Sequence, residues 1–238
     1  PAPRSLDTDI AVLGAGEDAA LTALVLARGG RRVAVIATPR GAGAGYRTVI
    51  LAQAARFRPL GVGSRLPFGP DLSAGGISES GLRIALTAAW PETVARLDGA
   101  VTRILPHRLT PVIDLADGRT LTARLIVIVS DPGPALMAAL GLRRYLMSEA
   151  HLVCVSLRLS GPAPDAFVMP GARARDGVGH AHVFPLLDQA GAGVNLYLYN
   201  RPGGARLDAF RADPQAALCA ALPPLKARLG GGRLDGPA

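Results

Sequence analysis

The feature that most constrains the fold is a glycine-rich turn between a short apolar segment and a helical pattern. The segment DIAVLGAG (9–16) is β-branched and aliphatic and ends in glycines, which is typical of a buried parallel strand. The following EDAALTALVLARGG has apolar residues at helical spacing, and RRVAVIA has the pattern of a second buried strand. Strand, turn, helix and strand in this order predict one βαβ unit.

Small residues occupy the three positions that matter in such a turn. Gly14 permits a tight exit from the strand, Gly16 lets a pyrophosphate approach the backbone, and Ala19 allows close packing of the helix on the strand. The pattern G-x-G-x-x-A in this context predicts a dinucleotide-binding type of fold, with these three residues at the cofactor. A second interpretation is that the glycines only shape the turn in a chain that has lost its ligand.

Three residues favour the second interpretation. Glu17 and Asp18 stand at the start of the helix, where their carboxylates complement the helix dipole and would compete with a phosphate. Ala37 ends the second strand, where an acid usually accepts hydrogen bonds from ribose hydroxyls. We therefore predict that this loop binds a dinucleotide weakly or not at all.

Composition narrows the classes of protein that fit. The 238 residues are 49% hydrophobic, enough for one large domain or a domain with a smaller lobe. The net charge of +8 comes from arginines spread along the chain, with Lys226 the single lysine, and no basic run alternates with aromatic residues. This spacing argues against a nucleic-acid partner.

The cysteines and the apolar segments of the sequence indicate the cellular compartment of the protein. Cys154 and Cys219 lie in apolar patterns, which fits buried thiols in a reducing compartment rather than a disulfide framework. The sequence has no apolar run of about 18 residues and no charged segment followed by an apolar one before the first strand. We expect a cytoplasmic protein without a transmembrane segment, and contact with a membrane surface stays open.

The remaining sequence divides into two lobes. Glycines and prolines predict an irregular excursion over 38–76 around the short strand or helix YRTVILAQAARF, and a helix is expected from Ser78 to Ala89. The turn ADGRT predicts a hairpin whose second strand ends in the apolar run LIVIVS, as a strand entering a parallel sheet should.

The second lobe has a different pattern. Three strand candidates, HLVCVSLRL, HAHVFPLL and GVNLYLYN, precede a helical region with a proline break, which predicts an antiparallel sheet backed by one helix. The expected division is a dinucleotide-binding-like lobe over 1–148 and a substrate-side lobe over 149–238.

Taken in order, these blocks resemble the FAD-dependent aromatic hydroxylases, the para-hydroxybenzoate hydroxylase type that includes ubiquinone-biosynthesis hydroxylases and squalene epoxidase. The resemblance spans residues 9 to about 225. Its most specific block is LADGRTLTARLIVIVSDPGPALMAALGL, because this family follows its hairpin and buried strand with an Asp-Gly at the flavin and a helix closing on Leu-Gly-Leu.

The resemblance implies an α/β fold, a FAD/NAD(P)-binding Rossmann-like lobe with a second, mostly antiparallel sheet lobe. It implies FAD as cofactor and a flavin-dependent monooxygenase that hydroxylates or epoxidises a small apolar or aromatic substrate. The cofactor-binding residues would be Gly14, Gly16, Ala19, Arg47 and Asp131. It assigns no catalytic residue.

Departures from the family keep an alternative open. Asp131 is separated from Gly133 by Pro132, so the expected Asp-Gly is interrupted, and the later Gly-Asp segment that holds flavin in this family is not found. The alternative is a diverged, non-catalytic homologue that has lost flavin and serves as a binding or assembly subunit beside a partner chain.

Other candidate sites are weaker. His180 and His182 are two residues apart in a strand pattern and should share a face, but no further ligand is near them in sequence, so no metal site is predicted. Ser130 lies beside Asp131, yet the sequence lacks the G-x-S-x-G turn of a hydrolase nucleophile.

Overall fold

The protein, described here from a computed structural model, forms two compact units. The structure describes residues 5–37, 48–50, 59–62, 75–106, 109–129, 134–143, 145, 147–148, 151–171, 177–200, 204–229 and 232–235. The first unit contains the described residues within 1–41, 59–62 and 83–145, and the second contains those within 42–58, 63–82 and 146–238.

A six-stranded mixed sheet forms the centre of the first unit. Its strand order is β5-β2-β1-β8-β7-β6. The strands are β1 (Ser5–Leu13), β2 (Val33–Ala37), β5 (Val94–Asp98), β6 (Val101–Leu105), β7 (Val112–Leu115) and β8 (Thr120–Ile128). The four strands β5, β2, β1 and β8 are parallel, and β8, β7 and β6 form an antiparallel meander.

Helix α1 (Glu17–Arg28) covers one face of the parallel strands. Ala19, Ala23 and Ala27 recur every four residues and are buried against the sheet, which lets the helix approach closely. Their neighbours on the sheet are apolar residues of β1 and β2: Ile10, Val12, Val33 and Val35.

The opposite face of this sheet has its own core. It is built from apolar residues of the parallel strands and the meander, and it includes Leu13, Ile36, Ile104, Ile113 and Leu121. Because residues 10 to 13 and 33 to 36 alternate between the two cores, β1 and β2 are apolar throughout. This explains why their sequences are continuous apolar runs rather than alternating ones.

The second unit is built on a five-stranded antiparallel sheet with strand order β10-β11-β12-β9-β13. The strands are β9 (His151–Ser160), β10 (Phe167–Pro170), β11 (Val178–Pro185), β12 (Ala192–Asn200) and β13 (Arg233–Asp235). A two-stranded antiparallel ladder of β3 (Thr48–Ile50) and β4 (Gly76–Ser78) belongs to the same unit.

Helices pack on one face of the second unit's sheet. They are α4 (Ala205–Ala212), α5 (Pro214–Ala221) and α6 (Pro223–Arg228), and Phe210, Leu218 and Leu225 are their buried residues. Two further helices complete the described structure, α2 (Glu79–Ala88), which follows β4 directly, and α3 (Pro134–Ala139).

The α/β class predicted from the sequence is confirmed, and so is the parallel pairing of β1, β2 and β8. The single helix expected behind the second sheet is wrong. The helical region is broken twice, at Asp213 and at Leu222, since a proline follows each of these residues and begins a new helix. The Asp213 side chain accepts a hydrogen bond from the Ala216 backbone N–H and caps α5.

The segment YRTVILAQAARF contributes β3, and its remaining residues lie outside the described part of the chain. Among the described residues, no helix has the length and apolar character needed to cross a membrane.

Candidate functional site

The turn between β1 and α1 has a backbone shape that only glycine adopts readily. Gly16 has φ 96° and ψ −167°, a region in which a Cβ atom would clash with the neighbouring peptide groups. Gly14, two residues earlier, is buried, and its backbone N–H donates to the Ile36 carbonyl of the adjacent strand at 3.1 Å. The first glycine therefore fixes the turn to the sheet, and the second redirects the chain into the helix.

The start of α1 can receive an anion. Gly16 is its N-cap, and a glycine has no side chain with which to cap the helix. The first turn of a helix presents backbone N–H groups without intrahelical partners, and the helix dipole places partial positive charge at this end. The turn thus fits the diphosphate of a dinucleotide, which would be bound by backbone amides.

Ala19, the third small residue of the motif, has 2% of its surface exposed. It belongs to the core between α1 and the parallel strands. A larger side chain would force the helix away from the sheet and would move the amides of its first turn.

The two acids at the start of α1 have different surroundings. Asp18 is exposed, whereas Glu17 is half-buried and its Oε2 atom is inaccessible to solvent. Both carboxylates lie in the first helical turn, where negative charge is stabilised by the helix dipole. Both carboxylates therefore oppose a bound diphosphate electrostatically.

Ala37 is the last residue of β2, at the same edge of the sheet as the glycine turn. Its methyl group has no acceptor for a ribose hydroxyl. The parallel neighbour β5 ends at Asp98, and the register pairs Ala37 with Asp98. The sequence reasoning missed this acid because it did not predict β5 as a strand of the parallel sheet.

Trp90, the only tryptophan of the chain, packs beside the same turn. Its indole Nε1–H donates to the Ala20 carbonyl in the first turn of α1 at 3.0 Å. Since a helix rises about 1.5 Å per residue, this carbonyl lies about one turn from Gly16. The indole is therefore a native fluorescence reporter for ligands of the turn.

Two of the residues predicted to contact a cofactor, Arg47 and Asp131, lie outside the described residues. Ser130, considered above as a nucleophile, also lies outside them. The structure brings Gly14, Gly16 and Ala19 together at the β1–α1 turn.

The second unit has a cluster of rings on the face of its sheet that does not carry the helices. The His180 and His182 rings have centroids 4.7 Å apart, and the Tyr197 ring on the next strand stacks on His180 with centroids 4.5 Å apart. Cys154 on β9 is the register partner of Tyr197. It is exposed, so the expectation of a buried thiol is wrong at this position. We call His180, His182, Tyr197 and Cys154 the ring cluster.

Burial shifts the pKa of two residues of the ring cluster, His182 and Tyr197. Burial lowers the pKa of His182, and the neighbouring His180 lowers it further, so the His182 imidazole is neutral at neutral pH. Burial also raises the pKa of the Tyr197 hydroxyl, and Cys154 adds to this rise. His182 and Tyr197 therefore offer uncharged ring faces with hydrogen-bonding groups at their edges.

The ring cluster has too few ligands for a metal centre. Within the described ranges, no three or more His, Cys, Asp or Glu side chains are grouped so that they could hold a metal ion.

Comparisons with known proteins show which solved structures have a similar fold. No protein-family model matches the sequence, and no curated protein matches it. Solved structures do match. PqsL, a probable FAD-dependent monooxygenase from Pseudomonas aeruginosa, is 18% identical with a TM-score of 0.57, and the match covers 97% of this chain and 72% of PqsL.

Two further solved structures are similar. The peptidyl tryptophan dihydroxylase QhpG is 21% identical with a TM-score of 0.55, over 96% of this chain and 55% of QhpG. The flavin-dependent brominase Bmp2 is 14% identical with a TM-score of 0.65, over 97% of this chain and 65% of Bmp2. The fold is therefore one that FAD-dependent monooxygenases have.

The chain is shorter than the proteins it matches. It spans 55% of QhpG, and in the match to a PqsL variant it spans 61% of that protein.

Proposed function

We propose that this chain is a flavin-dependent monooxygenase-like protein that binds FAD in its first unit and a small aromatic or apolar substrate on the sheet of its second unit. The observation that carries the proposal is the backbone of Gly16, with φ 96° and ψ −167°, at the start of α1. A glycine in this conformation, between a parallel strand and the first turn of a helix that it caps without a side chain, is the arrangement that lets a diphosphate meet backbone amides.

The residues of the first unit would bind the cofactor in defined ways. Gly14 and Gly16 leave room for the diphosphate, the amides of the first turn of α1 donate to it, and Ala19 keeps the helix close to the sheet. Arg47 and Asp131 are proposed as further contacts on the ground of the family resemblance. Bound FAD would supply the redox chemistry, since flavins carry the reaction with oxygen that a monooxygenase needs and the protein supplies binding and orientation.

The ring cluster of the second unit supports an aromatic substrate. Two imidazole rings and a phenol present flat faces for stacking, and their N–H and O–H groups can fix a polar substituent of the substrate. The structurally similar PqsL has been solved in complex with 2-aminobenzoylacetate, an aromatic compound. We propose His182 as a proton acceptor for such a substituent, because its imidazole is unprotonated at neutral pH.

Reconstitution with FAD tests the proposal. The protein is purified, mixed with excess FAD, passed through a desalting column and examined by absorbance spectroscopy. Retained flavin bands at a stoichiometric ratio are the expected result, and they would also overturn the sequence-based prediction that the loop binds a dinucleotide weakly or not at all. A protein that is folded by circular dichroism but retains no flavin would contradict the proposal and favour the non-catalytic alternative.

A substrate screen tests the second half of the proposal. Small aromatic acids and phenols are added to the FAD-loaded protein, and changes in the flavin spectrum and in NAD(P)H consumption are recorded. We expect at least one aromatic compound to perturb the flavin spectrum, and we expect His182→Gln to weaken that perturbation. A spectrum that no aromatic compound changes would contradict the proposed substrate class.

A further inference from the structure

The end of β2 has an alanine, Ala37, where an acid was expected. The end of the neighbouring strand β5 has an acid, Asp98. β2 and β5 run parallel, and Ala37 is the register partner of Asp98. Adjacent strands of a sheet are about 4.8 Å apart, so the two Cβ atoms lie side by side. The carboxylate missing from the end of β2 is therefore present one strand away, at the end of β5.

Asp98 is on the face of the sheet that carries α1. Side chains alternate along a strand, and Val94, four residues before Asp98 on β5, packs in the core under α1. Val33 and Val35 on β2 belong to the same core, and Ala37 continues their alternation. Asp98 thus shares a face with the start of α1, where the diphosphate would be bound.

The Asp98 carboxylate is accessible to a ligand. Its side chain is 74% exposed, and it accepts one hydrogen bond, from the Arg96 Nε–H at 3.1 Å. Arg96 is itself 51% exposed, and an ion pair between exposed side chains is held weakly. An ionised carboxylate accepts several hydrogen bonds through its two oxygens, so Asp98 can bind a ligand without losing Arg96.

A residue of the turn between β7 and β8 holds the backbone at Asp98. The Asp98 carbonyl accepts a hydrogen bond from Arg119 Nη2 at 2.6 Å, and the Arg119 guanidinium is oriented in turn by Asp117. The end of β5 is therefore anchored in the first unit rather than free to move away from β2.

We propose that Asp98 accepts hydrogen bonds from the ribose hydroxyls of the adenosine half of FAD, in place of the acid that β2 lacks. The vicinal hydroxyls of a ribose are donors that suit a carboxylate, and Asp98 is the acid that the sheet register places beside Ala37. This inference depends on the proposed binding of FAD in the first unit.

The test compares FAD with FMN, because FMN has the flavin and one phosphate but no adenosine. Both are titrated into the unmodified protein and into Asp98→Ala, and binding is followed through the fluorescence of Trp90 and of the flavin. Asp98→Ala should weaken FAD binding at least tenfold and should leave FMN binding unchanged. Equal losses for both ligands would indicate damage to the fold and would overturn the proposal.

Two control variants separate the role of the carboxylate from structural effects. Arg96→Gln removes the partner of Asp98 and should leave the FAD affinity within about twofold of the unmodified value, since an exposed ion pair contributes little. Asp98→Asn keeps the size of the side chain and serves if the alanine variant does not fold. It should weaken FAD binding less than alanine, because the amide keeps one acceptor oxygen.

A double-mutant cycle with Ala37→Glu gives the sharpest result. In the Asp98→Ala background, Ala37→Glu should restore most of the FAD affinity, since it returns an acceptor to the end of β2. In the unmodified protein it should give little gain, because the new carboxylate stands beside Asp98 and like charges repel. Equal gains in both backgrounds would overturn the proposal.

The outcomes also separate this inference from the proposed function. FAD binding that is unaffected by Asp98→Ala would overturn the role of Asp98 and leave the proposed function standing. An unmodified protein that binds no FAD would overturn both.

Discussion

Replacing Gly16 by alanine tests how much the β1–α1 turn depends on its unusual backbone. At φ 96° and ψ −167°, a Cβ atom is strained whatever space surrounds it. Conformations of this kind cost about 1–3 kcal/mol in a residue other than glycine. The turn must either keep that strain or relax to a negative φ, which would rotate the amides at the start of α1.

The effect of Gly16→Ala on stability and its effect on FAD binding are measured separately. A loss of about 1–3 kcal/mol corresponds to a fall in Tm of about 2–12 °C for a chain of this size. Reoriented amides should also weaken FAD binding at least tenfold, which is about 1.4 kcal/mol. Thermal unfolding followed by circular dichroism gives the first quantity, and quenching of Trp90 fluorescence by FAD gives the second.

Gly30, at the other end of α1, provides a matched control. It has φ 77°, and a Cβ atom there would meet no neighbour within 4 Å. Gly30→Ala should therefore lower the Tm through backbone strain alone and leave the FAD affinity unchanged. If Gly16→Ala bound FAD as tightly as the unmodified protein, the assignment of the turn as the diphosphate site would be refuted.

Three further predictions follow from packing and charge. Gly76→Ala should destabilise the second unit by about 1–3 kcal/mol in chemical unfolding, because its Cβ would overlap the buried ring of Phe184, and Phe184→Leu should recover part of the loss. Burial lowers the pKa of His182, so below about pH 6.5 the unfolded chain binds more protons than the folded one, and stability falls as the pH is lowered. Unfolding at about pH 7.5 and about pH 5.5 should show this fall, and His182→Gln should reduce it. Glu17→Gln combined with Asp18→Asn should raise the FAD affinity about three- to thirtyfold in a fluorescence titration, from about 0.3–1 kcal/mol for each of the two helix-terminal charges.

Each of these predictions has a result that contradicts it. A Gly76→Ala protein of unchanged stability would mean that the Phe184 ring can move aside. A pH dependence that survives in His182→Gln would have to come from other groups. Unchanged or lower FAD affinity after removal of the two acids would show that Glu17 and Asp18 do not oppose the diphosphate.

The βαβ unit could be predicted because its signals are local. Two continuous apolar runs, a G-x-G-x-x-A turn and a helical period between them are each visible within thirty residues. The hairpin at ADGRT was predictable for the same reason: Gly118 has φ 85° between β7 and β8, as the turn sequence required. Neither prediction needed information from distant parts of the chain.

Features that depend on pairing between distant segments could not be predicted. VARLD has charged residues at two of its five positions and lies at the edge of the sheet, so its sequence lacks the continuous apolar run that marked β1 and β2. The position of Asp98 beside Ala37 appears only with the register of β5 on β2. Stacking of Tyr197 on His180 likewise requires the pairing of β11 with β12.

The central claim is that the first unit binds FAD, and titration of the unmodified protein tests it most directly. FAD is added stepwise while the fluorescence of Trp90 is recorded, and FMN is titrated in parallel. The account predicts a saturable quench at one FAD per chain, with FMN binding more weakly because it lacks the adenosine that Asp98 would hold. No quench up to about 1 mM FAD, which bounds the binding free energy to less than about 4 kcal/mol, would contradict it.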